Sequence, residues 1–323
     1  APDRIAHFWL VTADEAHRPG SSFFHRNQEQ GFYALFFLAQ AMAAENLPVA
    51  PHVTVVTSGA AQVRDEPLPY PDKATVAGPA RVIPRELPGV TCSMLDLALP
   101  GPAPKGRAAR AAREAEMARL EAQLLEELLA EPAERVAALR GARRFEQEMA
   151  PLPLAPADPL PVAEGAAVMI TGGFGGIGLT VAERLAAARG CRLVLLARRE
   201  LPPRESWDAE LRRRAPADPV ARRIRAVRRL EEGGAEVMVA AADVSNIEEM
   251  RAAVSAAEAR FGPLSGVIHA AGVVDDAPIA AKSLSAVEDV LAPKLHGTQV
   301  LDALFPDGAL DWMVLFSSTS TVT

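Results

Sequence analysis

The chain predicts an α/β fold in two successive parts, each a parallel β-sheet flanked by helices. Three observations predict it. From residue 167 onward, short apolar runs alternate with amphipathic stretches, the pattern of parallel strands joined by crossover helices. Pro151, Pro153, Pro156, Pro159 and Pro161 crowd one stretch, and proline at that density makes a linker, not an element interior. The 323 residues, 49% hydrophobic and 23% charged, suffice for a core on each side of that linker. The expected division is a first part at 1–150, a linker at 151–162 and a second part at 163–323.

In the second part, strands are expected at 167–171, 192–197, 235–240, 266–269 and 311–316, with helices at 177–189, 218–232, 247–261 and 285–304. The first part carries a weaker version of the plan: strands at 5–11, 52–57 and 90–97 and a helix at 28–44. Met117, Leu120, Leu124 and Leu128 make one apolar helical stripe. A coiled coil is one reading of it; Pro132 stops the run and favours a surface helix lying on a core. The two parts also echo one another. With Gly31 aligned on Gly297, each glycine opens an apolar helix, and each helix precedes a strand ending in hydroxyls, Thr57-Ser58 and Ser317-Ser318. In that register Gln28 stands where Lys294 stands, and the first part has no glycine-rich turn.

A net charge of −7 argues against a general nucleic-acid binder. Cys92 and Cys191 are too few for a disulfide framework or zinc site and read as buried thiols, and the six histidines show no metal-ligand spacing. The most apolar stretch, 33–44, falls well short of the roughly 20 residues that cross a bilayer. No signal-peptide pattern opens the chain, which starts without Met and stops at Thr323, so it reads as a piece of a longer cytoplasmic polypeptide.

The chemistry concentrates after the linker. Thr171-Gly172-Gly173-Phe174-Gly175-Gly176-Ile177-Gly178 joins a strand to a helix. Glycines there permit a tight turn and let backbone amides approach a phosphate, while the helix N-terminus offers N–H groups and partial positive charge to a pyrophosphate. Arg198 and Arg199 end the next strand, where a fold preferring NAD would place an acid on the ribose 2′-hydroxyl. A guanidinium suits a 2′-phosphate instead, which favours NADPH. Asp243, with Val244 beside it, stands at the end of the third strand, placed to accept a hydrogen bond from adenine. Ala270-Ala271-Gly272 follows the fourth strand with the small residues that a flat cofactor needs against the backbone.

These residues, together with His269, Lys294 and Phe316-Ser317-Ser318, resemble a short-chain dehydrogenase/reductase. The stretch 292–298, Ala-Pro-Lys-Leu-His-Gly-Thr, and the degenerate first part narrow the resemblance to the ketoreductase domain of a modular polyketide synthase. Phe8-Trp9, the Gly31 helix and the run 78–84 fit its structural half. The resemblance implies two Rossmann-like subdomains, the first a structural copy without cofactor, the second a doubly wound sheet that binds NADPH and is incomplete at its C-terminus. It implies reduction of a β-ketoacyl thioester carried on an acyl carrier protein, beside neighbouring synthase domains. Ser318 matches the serine that holds the carbonyl oxygen, and Lys294 the lysine that lowers the pKa of a proton-donating tyrosine.

Counted from Ser318, the family's tyrosine and asparagine fall beyond Thr323, and the chain's two tyrosines, Tyr33 and Tyr70, lie in the first part. By itself the chain is therefore expected to be inactive. Val273-Val274-Asp275-Asp276 resembles the Leu-Asp-Asp motif of B-type ketoreductases, with Val in place of Leu, and implies a D-hydroxyl product. The arginines at 212–214, 222, 223, 225, 228 and 229 read either as a solvated helix face or as a docking surface for an acidic carrier protein. Two other functions remain open: a non-catalytic scaffold segment and a free-standing reductase of a small ketone.

Overall fold

The computed structural model describes residues 2–12, 22–45, 47–102, 105–154 and 162–321. Pro156, Pro159 and Pro161 of the linker lie outside these residues. The chain divides into two units, Ala1–Leu152 with Ala277–Lys282, and Pro153–Asp276 with Ser283–Thr323.

The first unit runs β1 (Arg4–Leu10), α1 (Ser22–Asn27), a π-helical turn (Gln28–Tyr33), α2 (Ala34–Ala44), β2 (His52–Ser58), a 3-10 turn (Pro71–Val76), α3 (Ala77–Glu86), β3 (Thr91–Leu97), α4 (Arg107–Leu129), β4 (Val136–Arg140) and β5 (Arg143–Glu146). Its five strands lie in the order of the chain, β1 to β4 parallel and β5 turned back on β4. Every residue of β2 is buried, as a strand covered on both faces requires. Leu120 of α4 packs on Val56, Leu95, Leu97 and Leu139, with Leu124 beside it, so the apolar stripe lies on the sheet. The chain returns to this unit at Ala277–Lys282. Gln40 Nε2 donates to the carbonyls of Ile279 (3.1 Å) and Lys282 (3.0 Å), and the Ile279 side chain is buried.

Ligands of open parallel sheets bind outside the carboxyl ends of the strands. In the first unit those ends carry a side-chain network. Asp96, buried, accepts from Thr57 Oγ1 (2.6 Å), the Ala60 amide (2.8 Å) and Arg140 Nη2 (2.8 Å). Arg140 also donates to Glu66 (2.8 Å). The fully buried Lys73 donates to Thr12 Oγ1 and the Ser58 carbonyl, both at 2.8 Å.

The second unit runs β6 (Ala167–Thr171), α5 (Gly176–Arg189), β7 (Arg192–Ala197), a 3-10 turn (Arg204–Ser206), α6 (Trp207–Arg213), α7 (Pro219–Glu232), β8 (Glu236–Ala241), α8 (Ile247–Phe261), β9 (Gly266–His269), α9 (Leu284–Leu291), a π-helical turn (Ala292–His296), α10 (Gly297–Leu304) and β10 (Trp312–Leu315). All strands are parallel, in the order β10-β9-β6-β7-β8. This is the doubly wound order, with its switch point between β6 and β9. On one face Leu185, Ile224, Val227 and Leu230 of α5 and α7 cover Val168, Ile170, Leu193 and Leu195. On the other, Met250, Ala253, Ala257, Val300 and Leu301 of α8 and α10 cover Met169, Val194 and Val267. The helix starts are set locally: Asp218 caps α7 with Pro219 at its first position, Asn246 caps α8 and Ser283 caps α9.

Two expected helices are thus interrupted, each by a π turn at the place where the two parts echo. The echo extends to their strands. His7 of β1 pairs with Val55 and His269 of β9 with Leu315, three residues before Ser58 and Ser318 respectively. Both histidines are buried, and each bonds through Nε2 to a carbonyl of its own π turn, Gln30 at 2.8 Å and Pro293 at 2.9 Å.

Arg140→Met should lower the stability of the chain by about 3 kcal/mol, because it strands the buried Asp96 carboxylate without its cation. Urea unfolding measures the loss; one within experimental error of zero would mean that Thr57 and the Ala60 amide satisfy Asp96 alone.

Candidate functional site

The switch point of the second sheet is built by glycines. Gly172 has φ +64°, and a Cβ there would stand 2.6 Å from the Ala270 carbonyl oxygen and 2.7 Å from Ala271 Cα. A Cβ on Gly178 would stand 2.5 Å from the Gly172 carbonyl oxygen. Glycine at these positions lets the turn close on the loop after β9 and lets α5 start against the turn. No side chain caps α5 at Gly175, and a Cβ on Gly176 would meet nothing within 4 Å. The first-turn amides and the positive end of the helix dipole are therefore open to an anion.

A cavity of about 390 Å³ opens beside this turn, lined among others by Gly172, Gly175, Arg198, Asp243, Val244 and Gly272. Phe174, Ala271 and Pro293 also face it. Arg198, at the end of β7, is exposed and makes no ion pair among the described residues. Asp243 accepts from the Ser245 hydroxyl (2.6 Å) and amide (2.9 Å) through Oδ1, and these bonds hold its carboxyl below the usual range. Gly297 lets α10 approach Val244, since a Cβ there would lie 3.0 Å from Val244 Cγ1.

His269 joins the parts of the site. The Pro293 carbonyl can only accept, so His269 Nε2 carries the proton. In the neutral ring Nδ1 then accepts from Thr171 Oγ1 at 2.6 Å, and that oxygen accepts from the Ala271 amide at 3.3 Å. One buried ring thus ties the end of β6, the loop after β9 and the turn that carries Lys294. The sequence shows His269 only as a residue at a strand end; its partners stand 24 and 98 positions away.

Lys294 is exposed and lies beside the cofactor loop: a Cβ on Gly272 would stand 3.8 Å from Lys294 Cε. Ser318 is exposed beyond β10 and donates to Ser320 Oγ (3.2 Å). No hydrogen bond joins it to Lys294 among the described residues. Asp275 and Asp276 are exposed in an irregular segment and do not line the cavity. Four of the eight arginines of the cluster form ion pairs on its own surface: Arg213 and Arg214 with Glu210, Arg228 with Asp208 and Arg229 with Glu183. Among the described residues no group of three or more His, Cys, Asp and Glu could hold a metal, and no helix is long and apolar enough to cross a membrane.

Burial holds the His269 pKa below its ordinary 6.5, against the opposing bond to Pro293. The folded ring resists a proton that the unfolded ring accepts below about pH 6.5, so this contribution to stability is intact above that pH and falls as pH drops through it. His7 and His52 shift the same way, also by burial first. His269→Gln should therefore be less stable than the parent near neutrality yet lose less stability between about pH 7.5 and 5.5. Urea unfolding at the two pH values compares the slopes; identical slopes would mean that His269 is not held neutral.

Residues 166–323 match the family described as the KR domain. The chain is 38% identical over 206 residues to a phenolphthiocerol/phthiocerol polyketide synthase of Mycobacterium tuberculosis, covering 61% of this chain and 10% of that protein. It thus spans about a tenth of the curated relative's length. Among solved structures, the first ketoreductase of the tylosin polyketide synthase superposes with a TM-score of 0.65 at 26% identity, over 98% of this chain and 58% of that one. An N-terminal ketoreductase from the macrolactin assembly line superposes with a TM-score of 0.74 at 24% identity, over 99% of this chain and 57% of that one, a likeness of fold. Residues 166–323 thus belong to the KR family, and over both units the chain is similar to solved ketoreductases of polyketide synthases, of the short-chain dehydrogenase/reductase type.

Proposed function

We propose that the second unit binds NADPH and reduces a β-ketoacyl thioester, presented on an acyl carrier protein, to a D-β-hydroxyacyl thioester. In this reading residues 1–150 are a structural subdomain without cofactor, 151–162 a linker and 163–323 the catalytic subdomain, working in the cytoplasm among neighbouring synthase domains.

The observation that carries the proposal is the glycine cradle at the switch point, opening into a cavity that also holds Arg198. A Cβ at Gly172 or Gly178 would fill the cradle, and the uncapped α5 start suits a pyrophosphate. The residues present thus fit a dinucleotide: Thr171 to Gly178 hold the pyrophosphate, Arg198 the 2′-phosphate, Asp243 and Val244 the adenine side, and Ala270, Ala271 and Gly272 the flat remainder. When bound, the cofactor supplies the hydride.

This chain's own groups manage charge and protons. Hydride addition puts negative charge on the substrate oxygen, and the Ser318 hydroxyl donates to it. Lys294, beside Gly272, lowers the pKa of the tyrosine that delivers the proton. In the resembled family that tyrosine follows the serine; Tyr33 and Tyr70 belong to the first unit. Asp275 and Asp276 mark the side from which the acyl chain enters, and with it the B-type outcome.

The test is product analysis. Given NADPH and a β-ketoacyl thioester, the full polypeptide should yield the D-hydroxy product on a chiral column. Lys294→Ala should lower turnover by at least about a hundredfold with NADPH binding retained. An L product discards the role of Asp275-Asp276 and keeps the reductase. No product from folded protein that binds NADPH makes the segment a non-catalytic scaffold.

A further inference from the structure

Two neighbouring cavities of the second unit, about 390 and 400 Å³, have two lining residues in common, Phe174 of the glycine turn and Arg223 of α7. We propose that Arg223 is a second cation for the cofactor's 2′-phosphate and that, laid on Phe174, it closes the adenosine end of the groove. The inference rests on the NADPH reading above and adds to it a residue from an element remote from the nucleotide motif.

Four observations carry it. First, Arg223 and Arg198 line the same cavity although they come from α7 and from the end of β7. Second, the Arg223 guanidinium carbon lies 5.5 Å from the centroid of the Phe174 ring, and Phe174 packs against the buried core. A guanidinium resting on a fixed ring is pre-organised, and it loses less freedom when it grips an anion. Third, the charge of α7 is unevenly spent. Arg228 and Arg229 are paired with Asp208 and Glu183, whereas Arg222, Arg223 and Arg225, which line the second cavity, have no acidic partner among the described residues. Fourth, Asp243 faces the same groove with its carboxyl held in the ionised form.

A phosphomonoester carries about two negative charges near neutral pH. Arg198 alone, against Asp243 and Asp289, leaves the groove formally negative, and Arg223 brings its formal charge to zero, which removes the repulsion that a phosphate would meet. An unphosphorylated ribose presents no such charge and gains little from a second arginine. Arg223 therefore acts on the choice between phosphorylated and unphosphorylated cofactor more than on binding of the adenosine itself.

The test titrates the chain with two probes, adenosine 2′,5′-bisphosphate and adenosine 5′-monophosphate. Arg223→Ala should weaken the bisphosphate about tenfold and leave the monophosphate unchanged. Arg223→Lys, which keeps charge but not the planar fork, should fall between, and the probe-free melting temperatures should agree. Equal weakening of both probes makes Arg223 a wall of the groove and overturns the proposal, as does no weakening of either. Arg198→Ala separates the two claims. If it abolishes the preference while Arg223→Ala keeps it, only the role of Arg223 falls. If the parent chain shows no preference, the NADPH reading and the proposal fall together.

Discussion

His269 is held on both ring nitrogens at once, by the Thr171 hydroxyl at 2.6 Å and the Pro293 carbonyl at 2.9 Å. Three separate stretches of chain meet at that ring. Thr171 ends the strand that opens the glycine turn, Ala271 donates to the same hydroxyl, and Pro293 precedes Lys294. Buried polar groups are costly unless every one is satisfied, so this arrangement has few alternatives. The ring fixes the distance between the end of β6 and the π turn, and with it the place of Lys294 beside Gly272. A proline inside that turn has no N–H to continue an α-helical ladder, and its carbonyl is the one that the histidine takes.

The first unit keeps the same frame and uses it otherwise. His7 occupies the strand position of His269 and bonds to its own π turn. Yet Gln28, buried, stands where the aligned Lys294 is exposed, and donates to the Asp72 carbonyl at 2.9 Å. At the carboxyl ends of its strands, Arg140 pairs with both Asp96 and Glu66, whereas in the second unit Arg198 makes no ion pair among the described residues and lines the cavity with Gly175. The contrast lies in side chains and glycines, not in the strands: one sheet satisfies its polar edge internally, and the other keeps it for an anion.

What the sequence made legible was local. The strands at 167–171, 192–197 and 266–269 are short apolar runs whose burial needs no long-range information, and the structure places them at those bounds. The glycine turn is legible for the same reason, because its geometry is set within eight residues. The hairpin β4–β5 is not, since Arg143–Glu146 is a charged, exposed strand that exists only by pairing with β4. The π turns escape the apolar periodicity, which runs through them with little change. The return of Ala277–Lys282 to the first unit rests on Gln40 and Glu86, contacts about two hundred positions away that no local pattern announces. In the site, Arg198 is legible from its place after a strand, whereas Arg223 is one arginine among several on α7 until the fold lays it on Phe174.

Whether the glycine cradle of the second unit holds a phosphorylated dinucleotide decides the function proposed for it. The decisive experiment is a titration of the chain with NADPH, followed by nicotinamide fluorescence. It is run beside Gly172→Ala, with the fold of each checked by circular dichroism. Saturable single-site binding is expected of the parent chain. In the variant, whose new methyl group would meet the Ala270 carbonyl at 2.6 Å, binding should be weakened beyond measurement. A folded parent chain that binds no NADPH, or a folded variant that binds it as well as the parent, would overturn the assignment.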